Sequence, residues 1–84
     1  MKNGVPDPLK ILLGKQITRL RTKKGLSIRK CALNAFMEHH QLMKIEKGEV
    51  DVRLSTLQKL VGVFGISLQQ LFDLSLLSAN DEEE

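Results

Sequence analysis

The side chains with the widest chemical repertoire in this chain stand close together. Ser27, Cys31, His39 and His40 lie along one short stretch, with Glu38 before the histidines and Lys44 after them. A thiol and two imidazoles are the donor types of a zinc site. Their arrangement argues against one: adjacent histidines on a helix point in different directions, and no Cys or His pair has finger-like spacing. A free thiol on an inward stripe is more simply a small apolar group. Neither a metal nor a cofactor is expected. Ser27 and the histidines do not form a catalytic triad either, because no buried Asp would orient an imidazole. A phosphate loop and a paired-carboxylate site are also missing from the pattern, so an enzyme is not expected.

Charge supplies a different kind of chemistry. The formal net charge is +3, and Asp81 to Glu84 hold four of the ten acidic residues. The remainder therefore carries 13 basic against six acidic side chains. From Lys10 to Met37 there are eight Lys or Arg and no Asp or Glu. Such a block suits a polyanion, although charge alone does not separate that role from a solvated helix face.

These groups must be positioned by a small scaffold. A chain of 84 residues is one domain with a marginal core, for which help from a partner subunit is unsurprising. With three Phe, no Trp and no Tyr, the core must be aliphatic, and the composition leans to an all-α fold. A single Cys excludes an internal disulfide and suits a reducing compartment. The first residues show no secretory signal, and no apolar run approaches the roughly 20 residues of a membrane span. A soluble, cytoplasmic protein is expected.

Capping chemistry and apolar spacing predict five helices. Residues 1–6 read as a flexible arm. Asp7 and Pro8 open the first helix, which carries Leu9, Leu12, Leu13, Ile17 and Leu20 at helical spacing and stops near Lys24 at Gly25. Ser27 caps a second helix, Ile28 to about Ala35, with Cys31, Ala32 and Ala35 inward. A third runs from about His39 to Lys47, with Leu42 and Ile45 inward and Gly48 ending it. After a loop at residues 49–52, a fourth spans about Arg53 to Phe64, with Leu54, Leu57, Leu60, Val61 and Phe64 facing the core. Ser67 with Gln70 forms a capping box for a fifth, carrying Leu68, Leu71 and Phe72. The domain is expected over residues 7–78, followed by an acidic disordered tail at 79–84.

Two short helices behind a basic first helix, with the small Ala32 permitting a close crossing, follow the logic of a helix-turn-helix. The residues also resemble a known family. The order Leu13-Gly14-Lys15, Leu20-Arg21, Lys24-Gly25-Leu26-Ser27, Ala32, Ile45-Glu46-Lys47-Gly48 and Leu57-Gln58-Lys59-Leu60 is similar to the Xre or Cro/repressor-type helix-turn-helix. The stretch from Phe64 to Phe72 resembles that family's usual ending, and the likeness is nearly gap-free from Leu9 to Phe72.

The resemblance implies a compact five-helix domain that binds double-stranded DNA, reads the major groove with its third helix, and regulates transcription, as a repressor in our reading. It implies an ion pair between Arg21 and Glu46, tying the first helix to the end of the third. It assigns base reading to the exposed face of the third helix: His39, His40 and Lys44 foremost, with Gln41 and Glu38 beside them. Lys donates to guanine O6 and N7, and a neutral His donates or accepts. Glu38 either accepts from cytosine N4 or caps the helix, with capping favoured. Ser27, Arg29, Lys47 and Arg53 are expected to grip phosphates around that face.

Three positions depart from the family pattern. Ile28 replaces a frequent Gln that contacts the DNA backbone, Val52 replaces a frequent Pro, and Phe36 stands where the turn usually has Gly at positive φ. Phe36 either strains the turn and displays its ring, reshapes the turn, or folds back over the core edge. Phe72, Leu74, Leu76 and Leu77 are candidates for a homodimer interface facing a palindromic operator, or alternatively for cover of the monomer's core. The alternative function is a protein-interaction module, an antitoxin or a bridging factor, suggested by Phe36 and the leucine-rich C-terminal stretch.

Overall fold

Local chemistry starts three of the five described helices with a side-chain cap. The computed structural model describes residues 7–74. The expected arm, the acidic tail, Leu76 and Leu77 lie outside the described residues. The Asp7 side chain accepts from the Leu9 N–H, and Pro8 takes the first position of α1 (Pro8–Lys23), where a missing N–H costs nothing. Ser27 opens α2 (Ile28–Asn34) by accepting from the Lys30 N–H. Then come α3 (His39–Glu46) and α4 (Leu54–Phe64), the latter capped by left-handed Gly65. The last helix, α5 (Leu68–Leu71), opens with both halves of its capping box. Ser67 Oγ accepts from the Gln70 N–H at 3.1 Å, and Gln70 Oε1 accepts from the Ser67 N–H at 2.9 Å. Lys24, Ala35, Lys47 and Arg53 are cap residues rather than helix interior.

The described residues are all-helical, with no strand among them. α1 and α2 both pack against α3, while α4 packs against α5 and α5 returns to α1. The shared core contains Leu13, Ile17, Cys31, Ala32, Ala35, Leu42, Ile45, Leu57, Leu60, Phe64 and Leu71. It is aliphatic apart from Phe64 and the Cys31 thiol. Gln16 is a polar member of the interior: its Nε2 donates to the Gln70 carbonyl at 3.4 Å, and its Oε1 accepts from Arg19 Nε at 3.1 Å. One side chain thus ties α1 to α5.

Two residues of the apolar stripes, one of them the expected core residue Leu54, face outward. Leu9 is 55% exposed and Leu54 is 63% exposed. Both stand in the first turn of their helices. Helical spacing names the inward face, but it does not say how far along that face the packing partner extends. Phe72 is likewise exposed, and Leu74 is half-buried.

Candidate nucleic-acid interface

The placement of α3 begins with a residue that has no side chain. A β-carbon on Gly14 would fall 2.7 Å from the Ile45 carbonyl oxygen and closer still to that of Glu46. The end of α3 therefore rests directly on the backbone of α1. Arg21 fastens the same end. Its Nε donates to Glu46 Oε2 at 2.7 Å and its Nη2 to Glu46 Oε1 at 3.2 Å, a two-point fork on the carboxylate. Its Nη1 donates to the Leu26 carbonyl at 2.8 Å, which also secures the entry to α2. The side chains of Arg21 and Glu46 are only 13% and 9% exposed. Thr18 Oγ1 lies 2.8 Å from Glu46 Oε1 and 2.9 Å from the Gly14 carbonyl oxygen, where its one proton serves both. Gly14 belongs to the family pattern, but neither it nor Thr18 shows in sequence what it touches. Their roles follow from contacts some thirty residues away.

Burial of Leu42 and Ile45 turns one side of α3 inward. Cys31 is buried in the same region, and its thiol is pushed above its ordinary pKa. Burial is the main cause, the Glu46 charge adds to it, and Arg21 opposes it.

The turn between α2 and α3 keeps the geometry that its family resemblance implies, but with the wrong residue for comfort. Phe36 has φ 55. The Phe36 N–H donates to the Leu33 carbonyl and the Met37 N–H to the Ala32 carbonyl, the pair of bonds that closes a helix through a left-handed residue. Gly25 and Gly48 end α1 and α3 in the same way, at φ 75 and φ 74. At Phe36 the ring is 84% exposed, so it neither reshapes the turn nor folds back over the core.

The outward side of α3 carries the residues singled out for base reading. His40, Gln41 and Lys44 are exposed and His39 is half-buried. The two imidazoles do not diverge as neighbours on a helix are expected to: their centroids are 4.2 Å apart with the planes tilted by 34°. Burial is the first cause of a lowered His39 pKa; the positive charges of Arg29 and His40 add to it and Glu38 opposes it. The charge of Arg29 on α2 is thus felt at His39 on α3. Glu38 holds the cap position of α3, as the favoured expectation has it, but makes no capping hydrogen bond through its side chain. Glu38 is exposed at the edge of the outward side of α3.

Around this face, Ser27 and Arg29 are exposed at the start of α2, Lys47 at the end of α3 and Arg53 just before α4. Ile28 packs partly buried against the core, which explains an apolar residue at that position. Among the described residues no group of three His, Cys, Asp or Glu could hold a metal ion, and no helix is long and apolar enough to cross a membrane.

No protein-family model matches the chain. The HTH-type transcriptional regulator PuuR of Escherichia coli strain K12 is 39% identical over 59 residues, which cover 70% of this chain and 32% of PuuR. The chain spans about a third of the length of the curated relatives it matches. The restriction-modification controller protein C.AhdI from Aeromonas hydrophila superposes with a TM-score of 0.71 at 28% identity, over 73% of this chain and 92% of that one. An HTH_3 family transcriptional regulator from Vibrio cholerae superposes with a TM-score of 0.74 at 30% identity, over 86% of this chain and 42% of its own. In sequence and in backbone the chain is similar to helix-turn-helix transcriptional regulators.

Proposed function

We propose that this chain is a sequence-specific regulator of transcription that binds double-stranded DNA, with α3 in the major groove. The observation that carries this reading is the mounting of α3: its inner side is locked by Gly14, Arg21 and Glu46, while His39, His40, Gln41 and Lys44 stand outward together. A recognition element needs that combination, because base edges are read only by groups whose positions are already fixed. In this reading His39, His40 and Lys44 contact bases, with Gln41 and Glu38 at the margin. Ser27, Arg29, Lys47 and Arg53 hold phosphates, and the acid-free stretch from Lys10 to Met37 draws in the duplex. The same proposal makes residues 7–78 the binding domain of a cytoplasmic repressor with no catalytic role.

A homodimer on a palindromic operator completes it. Exposed Phe72 and half-buried Leu74 contribute to the two-fold contact together with Leu76 and Leu77, placing the two α3 helices about 34 Å apart. A duplex-binding assay against random-sequence competitor tests the assignment. Lys44→Ala and His40→Ala should each weaken discrimination by about 1–3 kcal/mol at one base position. Unchanged affinity and sequence preference in both variants would show that α3 does not read the site.

A second reading, an antitoxin or bridging module, is favoured by the apolar surface beside the turn. Leu33 is 68% exposed and Phe36 is 84% exposed. Phe36 also lines a shallow depression with Asn34, Gln58, Lys59, Gly62 and Val63. A stable heteromeric complex that Phe36→Ser abolishes, accompanied by only weak DNA binding, would favour this reading.

A further inference from the structure

The two histidines of the chain are adjacent, and they occupy the first two positions of α3. There they meet the positive end of the helix dipole. Their rings lie 4.2 Å apart, so a charge on one opposes a charge on the other. From the neighbouring helix Arg29 adds a further positive charge against His39, and Glu38, just before α3, is the opposing negative one. Glu38 makes no capping bond through its side chain. In the free protein, then, His39 is held below its ordinary pKa, chiefly by burial.

A DNA duplex acts in the opposite direction. It brings one phosphate charge for about every 1.7 Å of its axis, well within the screening distance of about 8–10 Å. Resting on the DNA-binding reading above, we infer that the His39–His40 pair makes recognition proton-linked: it takes up protons as α3 meets the duplex, so the grip tightens as pH falls. An imidazolium donates from both ring nitrogens, to phosphate oxygens or to guanine N7 and O6, whereas the neutral ring offers one donor and one acceptor. By linkage, each proton taken up strengthens binding by up to about tenfold per pH unit. Histidine is the one side chain whose ordinary titration falls in this range, and both copies sit here.

The test titrates the whole chain against a duplex selected from a random pool, at constant ionic strength, from about pH 8 to about pH 6. Calorimetry in two buffers of different ionisation enthalpy counts the protons. The expected result is about tenfold tighter binding across that range, with net proton uptake. His39→Gln and His40→Gln should each flatten the slope. Where a variant binds too weakly to titrate, NMR of the two imidazoles in the free and bound wild-type protein decides: titration moved to higher pH in the complex supports the inference, and unmoved titration overturns it. Binding with a flat pH profile and no buffer-dependent heat overturns the proton linkage and leaves the DNA reading intact. Failure to bind any duplex at any pH overturns both.

Discussion

At Phe36 a bulky side chain occupies a backbone conformation that suits glycine, and its ring gains little from burial in return. Phe36→Gly should therefore raise stability by about 1 kcal/mol in urea denaturation. A loss of stability would show that the ring makes contacts in solution that its exposure does not reveal. Cys31 gives the opposite kind of prediction. Its thiol is buried and its pKa is raised, first by burial and then by Glu46, so little thiolate forms at neutral pH. An aromatic disulfide reagent should react with it slowly in the native protein and completely in denaturant. A fast native reaction would mean that the α2–α3 contact opens readily. Both residues were legible in the sequence, Phe36 as a glycine position without its glycine and Cys31 as part of an inward stripe. The contact between the imidazoles was not, because it depends on side-chain rotamers that spacing does not fix.

Helices were the most legible level, because what starts and stops them is local. Asp7 with Pro8, Ser27, the Ser67–Gln70 box, and glycines at 25, 48 and 65 each act within a few residues of themselves. What joins one helix to another was legible only in part. The Arg21–Glu46 pair follows from the family resemblance, and the structure places those residues in a fork. Arg21→Met should cost about 3 kcal/mol or more by leaving Glu46 poorly compensated, and a paired apolar replacement of both residues should recover part of that loss. Leu54 misled because a stripe can outrun its partner. Gly14 showed only as part of the family pattern, without its reason, since the carbonyls that exclude a β-carbon belong to α3. Gly14→Ala should destabilise by about 3 kcal/mol, because the atoms in the way are backbone rather than a flexible side chain. A thermal shift too small to match would show that α1 and α3 can slide apart.

Across the whole molecule, the cationic surface and the apolar end of α5 make separate predictions. If Lys47 holds a phosphate, Lys47→Ala should weaken binding to all duplexes alike and reduce the salt slope by about one unit. A change confined to one base position would move Lys47 to the reading set. If Phe72 and Leu74 contribute to a dimer, the melting temperature should rise with protein concentration, and Phe72→Ser should remove that dependence. The way α3 is mounted also bears on how such proteins diverge. Leu42, Ile45 and Glu46 hold the helix, whereas His40, Gln41 and Lys44 lie exposed on its other side. On the DNA-binding reading, a duplicated gene could acquire a new operator through changes at a handful of codons on one side of α3, while the codons for Gly14, Arg21 and Glu46 stay under purifying selection. Retargeting and stability would then evolve on opposite faces of the same eight-residue helix.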